Sequence, residues 1–281
     1  MTSHSADGTE AGTGPAPGRF TAVVLAADRT ASDPVARAAG VPCKALAPVG
    51  GLPMVMRVLD ALGHSREVGS RILCGPPPSA LAHSDPLRQL VASGDVAWVA
   101  NRASPSASAC EAMATVPAAM PVLVTTADHA LLTPAIVDYF CAAARARGGD
   151  VAVAVAPYDV VARAYPGMRR TVVRLRDGGY CGCNLFAFST GRGRAAADFW
   201  RSVEHERKRP WRLMGALGWG TVMRYALRRL SLGDGLGRIS RRLGLGVDAI
   251  VMPFPRAAVD VDSVDDWRWV CALSEAADAR V

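Results

Sequence analysis

Residues 20–62, FTAVVLAADRTASDPVARAAGVPCKALAPVGGLPMVMRVLDAL, decide the fold. The run Phe20–Ala27 is apolar throughout, which fits a strand covered on both faces rather than one with a solvated side. A long loop over 28–52 follows, punctuated by Gly40, Pro42, Gly50 and Gly51. Pro53 then opens an amphipathic stretch, PMVMRVLDAL, with proline near the first turn, where its missing N–H costs nothing. Strand, loop and helix in this order form the first unit of a parallel α/β sheet.

Outward from that unit the alternation continues. RILC (71–74), DVAWVA (95–100), PVLVTTA (121–127) and DVAVAVA (150–156) read as strands, and about 79–93, 106–119 and 133–147 as helices. Thr133-Pro134 reads as an N-cap followed by proline at the first helical position. The rhythm predicts an α/β fold, with a mostly parallel central sheet and helices on both faces. Such sheets bind ligands at the carboxyl ends of their strands. After residue 156 the rhythm breaks. TVVRLR (171–176) and NLFAF (184–188) flank the turn DGGYCG, which predicts a hairpin or mixed-sheet addition. A helix over about 190–206, strand-like runs at 247–254 and 258–262, and a helix from Val264 complete the reading. Residues 1–19, rich in Gly, Ser, Thr and Pro, are expected to be a disordered tail, leaving 20–281 as a single domain.

Half of the 281 residues are apolar and a fifth are charged, which excludes a disordered or collagen-like chain. No apolar run reaches the roughly 18 residues needed to span a bilayer. The amino-terminal stretch has neither a basic n-region nor an apolar h-region, so a cytoplasmic protein is expected. Seven scattered cysteines, an odd number, fit reduced thiols. Cys181 and Cys183 form the only close pair, with no second pair or nearby histidine to complete a zinc site.

The net charge of +7 is unevenly placed. Residues 207–246 hold ten basic residues against Asp234 alone, a net +9, so the rest of the chain carries −2. The overall basicity belongs to one segment and gives no reason to expect nucleic acid. The basic residues are 30 arginines and two lysines, Lys44 and Lys208, so a surviving lysine draws notice.

Three places carry candidate chemistry. Beyond the first strand, Ala26-Ala27-Asp28-Arg29-Thr30 and then Pro42-Cys43-Lys44 place an Arg and a Lys where a phosphate could be held, or where both are simply solvated. Neither GxxxxGK[ST] nor GxGxxG is present, which argues against kinases, GTPases and nicotinamide enzymes. Asp128, at the end of the fourth strand, is a natural Mg²⁺ ligand or a turn residue before the helix at Thr133; His129 beside it reads more readily as a packing residue. Asp260 and Asp262 alternate with valines, so as a short strand they share one face. Two carboxylates side by side suggest a shared cation, unless Asp262 or Ser263 caps the next helix.

Together these stretches resemble the MobA-like NTP transferases, the nucleotidyltransferase superfamily that includes molybdenum-cofactor cytidylyltransferases. VVLAADR…GVPCKALAPVGGLPMVMRVLDAL is similar to the family's amino-terminal signature. TTADHALLTPAIVDYF resembles its metal-binding aspartate segment, GCNLFAF its acceptor-side strand and AVDVDSVDDW its closing motif. The resemblance implies a GT-A-like, Rossmann-like fold and Mg²⁺-dependent transfer of a nucleoside monophosphate from an NTP, CTP favoured, with release of pyrophosphate. It implies nucleotide contacts at Leu25, Ala26, Ala27, Arg29, Lys44 and Asp128, with Arg29 and Lys44 on the triphosphate. It puts Asn184 on the acceptor side and the metal at Asp128 and one or both of Asp260 and Asp262. The chain departs from the family in one respect: its loop reads AADRTASD, with Asp28 where glycine is common. A GT-A glycosyltransferase using a nucleotide-sugar and an inactive nucleotide-binding homologue are the alternative readings.

Residues 207–246 are not required by such a core and read as a basic helical insertion. The apolar run 213–223 lies between Arg212 and Arg224, with Trp211, Trp219 and Tyr225 as aromatic anchors. The insertion reads either as a helical lid or subunit face, or as a peripheral contact with the inner face of the membrane. The second reading makes the acceptor lipid-linked rather than an ordinary small molecule.

Overall fold

Phe20–Leu25 forms strand β1 at the middle of an eight-stranded sheet in the computed structural model, which describes residues 18–28, 32–197 and 218–278. β1 lies between β4 (Val68–Cys74) and β6 (Val122–Thr126), parallel to both, and β5 (Ala97–Val99) extends the sheet beyond β4. On the other side β9 (Gly178–Phe188) runs antiparallel between β6 and β7 (Val151–Pro157), and β10 (Val247–Val251) closes the row parallel to β7. β8 (Val173–Leu175) pairs with β9 as the hairpin that the sequence predicts.

The alternation of side chains along β1 explains why its sequence is apolar throughout. Ala22 and Val24 face one core with α2 (Met54–Gly63) and α6 (Pro134–Arg147), through Val55, Leu59, Ile136 and Phe140. Val23 faces the other, against Ala109, Ala112 and Met113 of α5 (Pro105–Ala114). Thr133 caps α6 by accepting from the Ile136 N–H, as its sequence predicts.

Between β1 and α2 lie α1 (Pro34–Ala39), a 3₁₀ turn (Lys44–Leu46) and a small ribbon of β2 (Pro48–Val49) and β3 (Leu52–Pro53). Gly50 and Gly51 form the ribbon's turn with φ of 56° and 76°, the pair of positive angles that a type I′ turn requires.

Two sequence expectations need correction, and a third falls largely outside the described residues. The helix expected over 79–93 is two short ones, α3 (Pro78–Leu81) and α4 (Asp85–Ala92), because Ser84 is extended and Pro86 starts a new helix. The helix expected over about 190–206 begins with α8 (Gly191–Arg194), after the short α7 (Tyr158–Ala164) that follows β7, and its residues 198–206 lie outside the described residues. Residues 258–262 are not a strand: a 3₁₀ turn (Pro255–Ala258) leads into an extended segment with no ladder partner among the described residues. The valines of that segment, Val259 and Val261, still point inward, under the final helix.

That helix (Val264–Asp278) starts at Ser263, whose hydroxyl accepts from the Asp266 N–H while the Asp266 carboxylate accepts from the Ser263 N–H. This reciprocal cap belongs to Ser263, so neither Asp260 nor Asp262 is spent on it. Ser263→Ala should cost about 1 kcal/mol. In a chain of this size that lowers the melting midpoint by about 2–4 °C; an unchanged midpoint would remove the cap from the account.

The seven cysteines are all free thiols. No helix among the described residues is long and apolar enough to cross a membrane.

Candidate functional site

The carboxyl ends of β1 and β6 lie side by side, with Leu25 paired to Thr126. Beyond them opens a cavity of about 160 Å³ lined by Leu25, Ala26 and Ala27 from the first strand, Thr126 and Asp128 from the second, and Lys44 and Asp262 from the facing segments. Asp28, Asp33, Ala45, Pro105 and Ala127 complete the lining. The placement follows from the parallel order: strand ends on one edge leave a crevice where adjoining connections part.

Lys44 joins the walls. Its Nζ donates to Asp128 Oδ2 at 2.5 Å and to the Val261 carbonyl at 3.0 Å. Thr126 Oγ1 donates to the other oxygen of Asp128 at 2.5 Å, which fixes the carboxylate's orientation. Both carboxylate oxygens of Asp28 accept the Lys44 backbone N–H, at 3.0 and 3.1 Å. Asp28 therefore ties the end of β1 to the turn that carries Lys44. That work explains an acidic residue in a loop where glycine is common.

Burial alone would push the Asp128 carboxyl up, but the Lys44 ammonium and the Thr126 hydroxyl outweigh it and hold the carboxyl below its ordinary range. Burial likewise pulls Lys44 down, and Asp128, with Asp262 and Asp33 beyond, more than offsets it, so the ammonium titrates above its usual value. Burial is the main cause of an upward shift at Asp28, against the pull of the Lys44 N–H. Among the described residues the cavity thus presents four carboxylates, Asp28, Asp33, Asp128 and Asp262, to one ammonium.

Asp260 and Asp262 go to different places. Asp262 is exposed and lines the cavity. Asp260 is not part of the lining: one oxygen pairs with the Arg170 guanidinium and the other accepts from Asn184 Nδ2 at 2.7 Å. Arg170 also donates to the Asp260 carbonyl at 3.2 Å. Asn184 reaches Asp260 from a bulge in β9: Val153 pairs with Phe186 but Val155 with Gly182, so extra residues are looped out between them. Asn184 sits in that bulge with a φ of 47°, a left-handed backbone that asparagine tolerates.

His129 belongs to the core. It is 1 % exposed, and burial pushes its ring pKa down to about 4. Below pH 6.5 the unfolded chain takes up a proton there that the folded chain refuses until about pH 4. Stability should therefore be complete above pH 6.5 and fall as the pH drops through that window, by on the order of 1 kcal/mol per pH unit. His129→Leu should flatten this part of a plot of melting midpoint against pH; an equally steep plot would rule the ring out as its source.

Of the residues singled out in the sequence, Leu25, Ala26, Ala27, Lys44, Asp128 and Asp262 come together, while Asn184 joins Asp260 at a separate pair. Arg29 lies outside the described residues. The sequence reading missed Arg170 and Thr126, and nothing local marks them: Arg170 is one arginine among many, and Thr126 ends an ordinary strand.

No curated protein matches the chain in sequence. Among solved structures, a hypothetical transferase from Thermus thermophilus superposes with a TM-score of 0.73 at 30 % identity, covering 89 % of this chain and 99 % of that one. A 4-diphosphocytidyl-2C-methyl-D-erythritol synthase from Anaerococcus prevotii DSM 20548 shares the fold at 12 % identity, with a TM-score of 0.55 and coverage of 92 % and 97 %. A CMP:2-keto-3-deoxy-manno-octonic acid synthetase in complex with CTP does so at 14 % identity, with a TM-score of 0.55 and coverage of 92 % and 99 %. The profile of the MobA-like NTP transferase domain matches residues 22–246, from β1 through the helices that precede β10. The sheet order, the crevice at its carboxyl edge and this match agree: the chain belongs to the MobA-like NTP transferase family of nucleotidyltransferases.

Proposed function

We infer that this nucleotidyltransferase uses Mg²⁺ to transfer a nucleoside monophosphate from an NTP, with CTP favoured, to a phosphorylated or hydroxyl-bearing acceptor. The observation that carries the reading is the Lys44–Asp128 pair at the carboxyl ends of β1 and β6. In the reaction an acceptor oxygen attacks the α-phosphorus in line. A P–O bond forms there, the bond to the β-phosphate breaks, and pyrophosphate leaves with the electron pair. A phosphate acceptor needs no deprotonation, and a hydroxyl acceptor would release its proton to solvent.

Little covalent work falls to the protein, so its part is positioning and neutralisation. Lys44, held between Asp128 and Val261, supplies a fixed positive charge for the triphosphate. Ala26 and Ala27, following Leu25 along the wall, are small enough for a nucleotide to lie close to the backbone.

The chemistry of the lining supports a divalent cation. Four carboxylates against one ammonium would repel a bare triphosphate. Among the described residues there is no cluster of three or more His, Cys, Asp or Glu that could cage a metal by itself. Mg²⁺ commonly takes one or two carboxylates and completes its shell with substrate phosphates and water. Asp128 and Asp262 are the residues that fit this role, and the ion would supply Lewis-acid neutralisation of the phosphates. Asp260, already held by Arg170 and Asn184, is assigned to supporting the acceptor-side wall.

The preference for CTP draws on the family and on the neighbour solved with CTP. The test is incubation of the enzyme and Mg²⁺ with each NTP labelled at the α-phosphate and a panel of phosphorylated acceptors. Label passing into a new product with one pyrophosphate released per transfer is the expected result. Label that stays on every NTP, together with sugar transfer in a parallel incubation supplied with nucleotide-sugars, would show a glycosyltransferase.

A further inference from the structure

The carboxyl-terminal part of the basic segment folds into α9 (Trp219–Ala226) and α10 (Leu232–Leu243). Leu232, Leu236, Ile239 and Leu243 recur along α10 at helical spacing and share one face, yet no residue of this helix is buried. Three of the four look into an open groove of about 480 Å³, also walled by Leu175 of β8 and by Val222 and Tyr225 of α9. That volume is within the ~300–1,000 Å³ of small-molecule sites. Arg238, Arg241 and Arg242, on the other side of α10, line a second cleft with Gly218 and Gly220. Thr221 belongs to both, so the apolar groove and the cationic cleft adjoin. Among the described residues, no carboxylate forms an ion pair with any of these three arginines.

The place is also informative. Both oxygens of Asp177, in the β8–β9 turn, accept the Leu232 N–H at 3.1 Å and anchor the start of α10. β9 is antiparallel to β7, and its beginning pairs with Pro157 at the end of β7. The hairpin turn therefore stands on the carboxyl edge of the sheet, the edge where the cavity with Lys44 opens.

We propose that α9, α10 and β8 bind a lipid phosphate as a single molecule, its hydrocarbon chain in the groove and its phosphate on Arg238, Arg241 and Arg242. An apolar trough ending in three guanidinium groups that no described carboxylate pairs is complementary to such an amphiphile and to neither of its halves alone. That the bound lipid phosphate is the acceptor rests on the nucleotidyl-transfer reading above; that it binds does not.

The test is calorimetric titration of the full chain, without nucleotide, with decyl phosphate below its micelle-forming concentration. Hexyl and octyl phosphate, decanol and inorganic phosphate serve as comparisons. Decyl phosphate should bind at least tenfold tighter than decanol or inorganic phosphate. Each methylene that enters the groove should add roughly fourfold to affinity. Leu236→Glu, and the more exposed Tyr225→Asp should the first fold poorly, should each weaken binding tenfold or more. The double variant Arg241→Ala with Arg242→Ala should weaken decyl phosphate and leave decanol unchanged. The proposal is overturned by equal binding of inorganic phosphate, by indifference to both groove variants, or by no binding of decyl phosphate. It is overturned too if phosphatidylglycerol vesicles sediment wild type and Leu236→Glu alike, since a charged surface alone would then be what the arginines read. A chain that binds decyl phosphate but no NTP upholds this site and removes only its role in nucleotidyl transfer.

Discussion

Lys44→Ala is expected to lose on the order of 10²–10³ in turnover, the usual cost of removing one preorganised charge from a phosphoryl-transfer site. Stability should fall as well. The side chains of Lys44 and Asp128 are only 18 % and 14 % exposed, and the alanine variant leaves a mostly buried carboxylate without its cation. A cost of about 1–3 kcal/mol follows from stranding one partner of such a pair. Asp128 should then titrate higher, since the lysine that offsets its burial is gone. Pyrophosphate release and thermal melting check the two parts separately. Near-wild-type turnover in a folded Lys44→Ala enzyme would remove Lys44 from the triphosphate site.

The two aspartates near the carboxyl terminus should separate cleanly. Asp260→Ala leaves Arg170, 9 % exposed, without its carboxylate and Asn184 without its acceptor. Breaking a buried pair from one side costs about 3–5 kcal/mol, so this variant should melt far below the wild type while keeping its Mg²⁺ dependence. Asp262→Asn should do the reverse: exposed and unneeded by the fold, it should melt normally and require several-fold more Mg²⁺ for half-maximal activity. A Mg²⁺ titration of activity beside a melting curve distinguishes them. If both variants keep the wild-type Mg²⁺ requirement, the metal has been assigned to the wrong wall.

The difference between these aspartates shows where the sequence is legible and where it stops. Val259-Asp260-Val261-Asp262 announces its inside correctly, since both valines face the core, but not that Asp260 is drawn into a buried pair while Asp262 stays exposed. What alternation cannot tell is whether a neighbouring strand edge exists to pair with. Among the described residues there is none; the Val261 N–H bonds the Asp128 carbonyl instead, Asp260 is held by Arg170 and Asn184, and Asp262 is left facing the cavity. β1 was readable because a strand buried on both faces has to be apolar throughout, whatever surrounds it. Thr133 and Pro134 were readable because a cap acts within one turn. Arg170 was not, because its meaning comes from a carboxylate 90 positions away. The division of 79–93 into two helices depends on Ser84 turning extended before Pro86, a local choice that periodicity overlooks. Asp28 looked like a departure from a glycine-rich loop, and its bonds to the Lys44 N–H show it holding the lysine in place.

The most direct measurement of the central claim is a thermal-shift and calorimetric screen of ATP, CTP, GTP and UTP, each with Mg²⁺, on wild type and Lys44→Ala. A nucleotide at 100 times its dissociation constant should stabilise the wild type by about 2.7 kcal/mol. The account predicts that result for CTP with Mg²⁺, a much smaller shift without the metal, and at least tenfold weaker binding by Lys44→Ala. Wild-type protein that binds none of the four, or a Lys44→Ala variant that binds Mg-CTP as tightly as the wild type, would contradict it.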